Sequence, residues 1–193
     1  MNVGIGPRRI ARVHTSGGYG DPDTAKWVAF EAFGQCSNLK QEAEARGINS
    51  ERLIFAEKVP QEQHLARHRL ADLFIDTFNV NAHTTASDAL WAGLPVVTKL
   101  GKSFVARVAG SLLNSVGLPE LITESNHDYE ALILELANNP NKLSIIKEKL
   151  RINRSSYPLF DSNLYTKHLE SGYLRAYQNY DEGIKPKTIY ITE

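Results

Sequence analysis

Between Leu73 and Thr98 the chain runs from an apolar stretch through a polar turn and a helix into a second apolar stretch. Leu73-Phe74-Ile75-Asp76-Thr77 comes first. The segment Asn81-Ala82-His83-Thr84-Thr85-Ala86-Ser87-Asp88-Ala89-Leu90-Trp91-Ala92-Gly93-Leu94-Pro95 follows, and Pro95-Val96-Val97-Thr98 closes the unit. Its helix starts among hydroxyl residues and stops at Gly93, with Pro95 just beyond. Apolar runs that are continuous rather than alternating mark strands covered on both faces, and a helix between two of them allows parallel pairing. In open parallel sheets, ligands bind where strand carboxyl ends feed helix amino ends. The first N–H groups of such a helix lack partners and its dipole is positive there, so an anionic group is the natural ligand.

The same alternation extends from about residue 37 onward. Leu39 to Arg46 reads as a polar helix stopped by Gly47. Arg52-Leu53-Ile54-Phe55-Ala56 reads as a buried strand, and Gln61 to Arg69 as a short helix with Pro60 suited to its first turn. Val96 to Lys99 is a strand and Phe104 to Val116 a helix, with Val105, Val108, Leu112 and Leu113 apolar. Leu121-Ile122-Thr123 is a short strand, and helical stretches cover about 127–138, 141–153 and 163–181. The pattern predicts an α/β fold: a Rossmann-like parallel sheet with helices on both faces. No Gly-x-Gly-x-x-Gly follows a strand, so the dinucleotide fingerprint is absent. Residues 1–36 differ in character, with glycines scattered among Arg8, Arg9 and Arg12. They are expected to be irregular, although Trp27-Val28-Ala29-Phe30 fits a short strand or a helical turn. The expected organisation is an irregular segment 1–36, a folded lobe 37–183 and a tail 184–193.

Composition narrows the function. The 193 residues carry zero formal net charge, which gives no reason to expect nucleic acid as a partner. No apolar run reaches the roughly 18 residues of a membrane span, and no apolar signal core follows the N-terminus. A cytoplasmic protein without a membrane partner is expected. The single cysteine, Cys36, excludes an internal disulfide and offers no metal cluster. Asp21-Pro22-Asp23 has the form of an Asp-x-Asp metal motif, but no strand leads into it, so no metal site is expected.

Several stretches together resemble the O-linked N-acetylglucosamine transferases, a family of protein glycosyltransferases that includes the SPINDLY type. They are Arg52-Leu53-Ile54-Phe55, Val59-Pro60-Gln61-Glu62-Gln63-His64, Leu70-Ala71-Asp72, His83-Thr84-Thr85, Asp88 through Thr98, Arg107-Val108-Ala109 and Ser156-Tyr157-Pro158-Leu159-Phe160-Asp161. The resemblance runs from about residue 38 to 183 and covers the C-terminal catalytic lobe. It implies a two-lobe GT-B fold with the nucleotide sugar in the cleft, and metal-independent transfer of N-acetylglucosamine from UDP-N-acetylglucosamine to Ser or Thr of proteins. The family's tetratricopeptide repeats and N-terminal catalytic lobe have no counterpart in this sequence. The chain is therefore expected to be a fragment, with the catalytic base and the acceptor site lying outside it and UDP or a UDP-sugar as its ligand. An inactive remnant or interaction module, and a relative that uses GDP-fucose, are the alternatives.

The resemblance also assigns residues. His83, Thr84 and Thr85 would hold the diphosphate; read without it, Thr85-x-x-Asp88 also fits a capping box, and the two are compatible because a capped end can still present N–H groups to a ligand. Asp88 would accept the ribose hydroxyls, although a first-turn acid also suits the helix dipole. His64 and Arg67, three apart and so on one helix face, would stack on and flank the base, with the Val59 backbone reading its edge. The plain alternative is a solvated helix crowded with His64, Arg67, His68 and Arg69. Gln61 stands where animal members carry lysine. Leu90, Trp91 and Leu94 read as core, and His14, His127 and His168 as surface.

Overall fold

A computed structural model describes residues 9–13, 26–30 and 36–191. Six strands form one sheet: β1 (Arg9–Val13), β2 (Lys26–Phe30), β3 (Leu53–Ala56), β4 (Ala71–Ile75), β5 (Val96–Lys99) and β6 (Ile122–Thr123). Their spatial order is β3-β2-β1-β4-β5-β6, the order of a doubly wound nucleotide-binding sheet. β2 runs parallel to β3, and β4, β5 and β6 run parallel to one another. β1 is antiparallel to both its neighbours, β2 and β4. Five strands therefore point one way, and β1 reverses direction at the place where the strand order switches.

The expected α/β fold with a parallel sheet holds, and β1 is its one departure among the described strands. The segment 1–36, expected to be irregular, supplies both β1 and β2. β1 was not legible because its order comes from pairing on both edges, Ile10 with Ala29 on one side and with Ile75 on the other. Asp21-Pro22-Asp23 and His14 lie outside the described residues.

The helices are α1 (Cys36–Ala45), α2 (Gln61–Arg67), α3 (Thr84–Trp91), α4 (Val108–Ser115), α5 (Asn126–Asn138), α6 (Pro140–Ser156) and α7 (Ser162–Asp181). Pro60 precedes α2 as its cap residue rather than opening it. The helix expected over Phe104 to Val116 is divided. A 3-10 turn covers Phe104–Ala106 and α4 begins only after Arg107, whose ψ of −9° interrupts the run. Side-chain caps start α5 and α7: Ser125 accepts from the Asp128 N–H and Asp161 from the Leu164 N–H, satisfying donors that the helices leave open.

The core gathers Leu73 and Phe74 of β4, Val96 and Val97 of β5, Ala86, Ala89 and Leu90 of α3, and Leu113 of α4. Leu136 of α5 and Leu143, Ile146 and Leu150 of α6 complete it. Full burial of a Leu or Phe side chain is worth about 1.5–3 kcal/mol, so this cluster fixes α3 against β4 and β5. Gly93, at φ +88°, ends α3 in the left-handed region that a side chain disfavours. The Leu94 N–H then returns to the Ala89 carbonyl, and the chain enters β5. Lys147 of α6 bonds Asp72 of β4 at 2.8 Å. α7 buries none of its residues and leaves Tyr165, Tyr173, Leu174 and Tyr177 exposed. No helix among the described residues is long and apolar enough to cross a membrane.

Candidate functional site

The carboxyl ends of β4, β5 and β6 lie along one edge of the sheet, and the turn from β4 into α3 stands there. Asp76, the residue after β4, is buried. Its Oδ1 accepts the Ala82 N–H at 2.7 Å and its Oδ2 accepts the Thr98 hydroxyl at 2.6 Å. Its own N–H donates to the Val97 carbonyl, and its carbonyl accepts the Tyr129 hydroxyl at 2.5 Å. Thr123 adds a further bond, its hydroxyl donating to the Thr98 carbonyl. Burial pushes the Asp76 carboxyl up to about 6, against the pull of its donors and of nearby His83. Burial and the Asp76 charge likewise push the Tyr129 hydroxyl up.

The turn itself is closed by local bonds. The Thr77 hydroxyl donates to the Val80 carbonyl at 2.6 Å, and Asn81 Nδ2 donates to the Thr77 carbonyl at 2.7 Å. The 3-10 turn after β5 braces it from the side. The Val105 carbonyl accepts the Asn81 N–H at 2.8 Å and lies 3.3 Å from His83 Nε2. Exposed Phe104 meets the His83 ring edge-on, with centroids 6.4 Å apart.

α3 begins at Thr84, one residue earlier than the sequence suggests, with His83 as the cap residue and no side-chain cap bond. The predicted Thr85-x-x-Asp88 capping box therefore does not form, because Thr85 already lies inside the helix. Thr84 is exposed and Thr85 is buried. Two buried side-chain atoms at this turn, Asn81 Oδ1 and Thr85 Oγ1, have no hydrogen-bond partner. Native interiors rarely leave such groups unsatisfied unless a ligand or water takes them up.

The second group of predicted residues lies on α2 and the 3-10 turn His68–Leu70 that continues it. Arg67 Nη2 contacts His64 Nδ1 at 2.6 Å, and Arg67 Nη1 donates to the Glu57 carbonyl at 2.7 Å. His64 and Arg67 do share a face, as their spacing requires. His64 is buried rather than solvated, and so is His68. His68 Nδ1 lies 2.7 Å from the His64 carbonyl, and the two rings meet edge-on at 4.6 Å. Burial lowers the His68 pKa, while Asp88 acts to raise it. Asp88 stands in the second turn of α3, whose first turn carries no acidic residue. Val59 is half-buried on the stretch leading into α2.

Two other expectations can be placed. Leu90 and Leu94 are core, but Trp91 is 51% exposed. It ends α3 on the side away from the turn, packs edge-on against Phe160 and lies under the Arg154 guanidinium. His127 is exposed and His168 half-buried. Among the described residues no group of three or more His, Cys, Asp or Glu is placed to hold a metal ion. The sequence reading missed Asp76 as a site residue. Its signal was present, an acid at the end of an otherwise apolar strand.

A doubly wound sheet whose strand order switches between β1 and β4 defines the class: a Rossmann-like α/β lobe. The chain belongs to glycosyl transferase family 41, whose pattern matches residues 21–169. It is 34% identical over 174 residues to the probable UDP-N-acetylglucosamine–peptide N-acetylglucosaminyltransferase SEC of Arabidopsis thaliana, covering 89% of this chain and 18% of that protein. It is 29% identical over 163 residues to the UDP-N-acetylglucosamine–peptide N-acetylglucosaminyltransferase of Caenorhabditis elegans, covering 84% of this chain and 14% of that protein. Among solved structures, a mutant O-GlcNAc transferase of Thermobaculum terrenum superposes with a TM-score of 0.69 at 34% identity, over 72% of this chain and 27% of that one. The family match begins at residue 21, within the segment expected to lie outside it. The chain thus spans less than a fifth of the length of these two relatives.

Proposed function

We propose that this chain is the nucleotide-holding lobe of a protein O-glycosyltransferase, with residues 37–183 as its body. In the whole enzyme it binds UDP-N-acetylglucosamine, and the sugar passes to a Ser or Thr hydroxyl of a protein. The observation that carries this reading is the head of α3, which no side chain caps and which has the buried, partnerless Asn81 Oδ1 and Thr85 Oγ1 beside it. Free N–H groups and the positive end of the dipole suit the charged diphosphate and the one further negative charge that UDP gains as it departs.

The roles follow the two groups. The N–H groups of Thr84 and Thr85, with the Thr84 hydroxyl and His83, hold the diphosphate. Asp88 accepts the ribose hydroxyls, since a carboxylate can take two adjacent donors. His64 stacks on the uracil, Arg67 lies along its edge, and the Val59 backbone reads it. No metal takes part, because the helix head supplies the positive field. The base that activates the acceptor lies outside this chain, so the chain alone transfers sugar poorly or not at all. The compartment is the cytoplasm.

Calorimetric titration of the purified chain with UDP, and with GDP as control, tests the reading. UDP binding that disappears in His83→Ala and in Asp88→Ala supports it. Failure of a folded chain to bind either nucleotide refutes it in favour of an inactive remnant, and preference for GDP changes the donor.

A further inference from the structure

We propose that Asp76 is the positioning residue of this site: its buried carboxylate holds the turn in the form that leaves the head of α3 open to a diphosphate. The inference rests on the nucleotide-binding reading given above and assigns a role to a residue that touches no ligand.

Asp76 has no polar group left for a ligand. One carboxylate oxygen takes the Ala82 N–H and the other takes the Thr98 hydroxyl. Its N–H is spent on Val97 and its carbonyl on Tyr129. With 4% of its surface exposed, it faces inward from every side. Ionised groups are seldom kept so deep unless their bonds matter, because burial penalises the charge.

What the carboxylate holds is the peptide just before the cap residue. Ala82 precedes His83, and His83 makes no cap bond. Most helices solve this problem with a Ser, Thr, Asp or Asn at the cap, whose side chain covers the first N–H groups. Here the chain is fixed from below, through β4, β5 and α5, and the N–H groups stay uncovered. The position of Ala82 fixes that of His83, whose φ of −100° and ψ of −93° differ from the extended form usual at a cap. Replacing Asp76 by an apolar residue leaves the Ala82 N–H without its acceptor in a buried place, and the turn must then move.

The test compares the full chain with Asp76→Ala and Asp76→Asn. UDP binding is read by calorimetry and uridine binding by saturation-transfer NMR. Asp76→Ala is expected to weaken UDP by about tenfold or more while uridine changes by less than about twofold. Asp76→Asn, which keeps an oxygen for the Ala82 N–H, recovers most of the UDP affinity. A residue that merely supports the fold would weaken both ligands together, and that result overturns the proposal, as does an unchanged UDP affinity in Asp76→Ala. Thr98→Val leaves Asp76 in place and removes one of its donors. It is expected to give a smaller loss confined to UDP, and it serves if Asp76→Ala fails to fold; an equal loss of both ligands in it overturns the proposal too.

Amide hydrogen exchange separates the two readings. If the unaltered chain binds no UDP, the nucleotide reading has failed. Exchange at Ala82, whose N–H the carboxylate holds, then decides the positioning role alone. Faster exchange in Asp76→Ala but not in Asp76→Asn supports that role, and unchanged exchange overturns it.

Discussion

In the turn from Asp76 to Thr85 the key polar side chain bonds into the sheet, whereas in the segment from Val59 to Leu70 the polar side chains bond within their own stretch and to the loop just before it. Asp76 joins the turn to β5 through Thr98, and its carbonyl is tied to α5 through Tyr129. Arg67 joins His64 to Glu57, and His68 joins back to His64. The first arrangement leaves the first backbone donors of α3 without a side-chain cap, which suits an anion. The second occupies the groups that the proposed reading gives to the base. A nucleobase must therefore exchange its contacts for the Arg67–His64 bond, whereas a diphosphate can dock without rearranging the turn. On the proposed nucleotide reading, the difference makes the phosphate half of the site preformed and the base half adaptable.

The comparison can be broken by removing what both halves share. Leu90 is fully buried and anchors α3. Leu90→Ala is expected to cost about 2–5 kcal/mol in denaturant unfolding, and binding at both halves goes with it.

The next effect belongs to the first half alone. The folded-state pKa of Asp76, about 6, lies above its ordinary value of 3.8. The folded chain therefore takes up this proton before the unfolded chain does, and stability from this group rises as pH falls through that window. Relative to Asp76→Asn, the unaltered chain should gain about 2 kcal/mol between about pH 7 and pH 4 in urea unfolding. The buried His68 has the opposite sign. Its folded-state pKa is lowered below 6.5, so its contribution is lost as pH falls through the unfolded value. Because both chains carry His68, the difference between them isolates Asp76.

Smaller effects sharpen the contrast. Tyr129→Phe removes one bond beneath the turn and should cost about 1 kcal/mol, with UDP affinity little changed because the Asp76 carboxylate keeps both donors. Arg67→Ala should cost about 1 kcal/mol of stability, as loss of a hydrogen bond does. Calorimetry should nevertheless show UDP affinity reduced by about fivefold. A loss in stability larger than that in Tyr129→Phe would place Arg67 in the scaffold rather than in the adaptable half.

From residue 37 onward most of the fold was legible, because local signals agree with one another. Short apolar runs and Gly93 after α3 mark boundaries that the structure keeps. What escaped depends on partners far along the chain. β1 takes its order from β2 and β4 rather than from its own run of Arg9 to Val13. Trp91 sits on an apolar-looking helix, and only the helix's last turn, facing Arg154 and Phe160, leaves it half exposed. In the site, the spacing of His64 and Arg67 gave their shared face but not the turn of Arg67 toward Glu57. The Asp76 network was out of reach, because Thr98 lies 22 residues away and Tyr129 53.

The central claim is that the uncapped head of α3 receives the diphosphate. The most direct test is an amide NMR titration of the full chain with UDP, repeated with uridine. The account predicts that the Thr84, Thr85 and Ala86 amides shift with UDP and stay in place with uridine, while residues around His64 and Arg67 respond to both. UDP-induced shifts that bypass Thr84, Thr85 and Ala86 would contradict it.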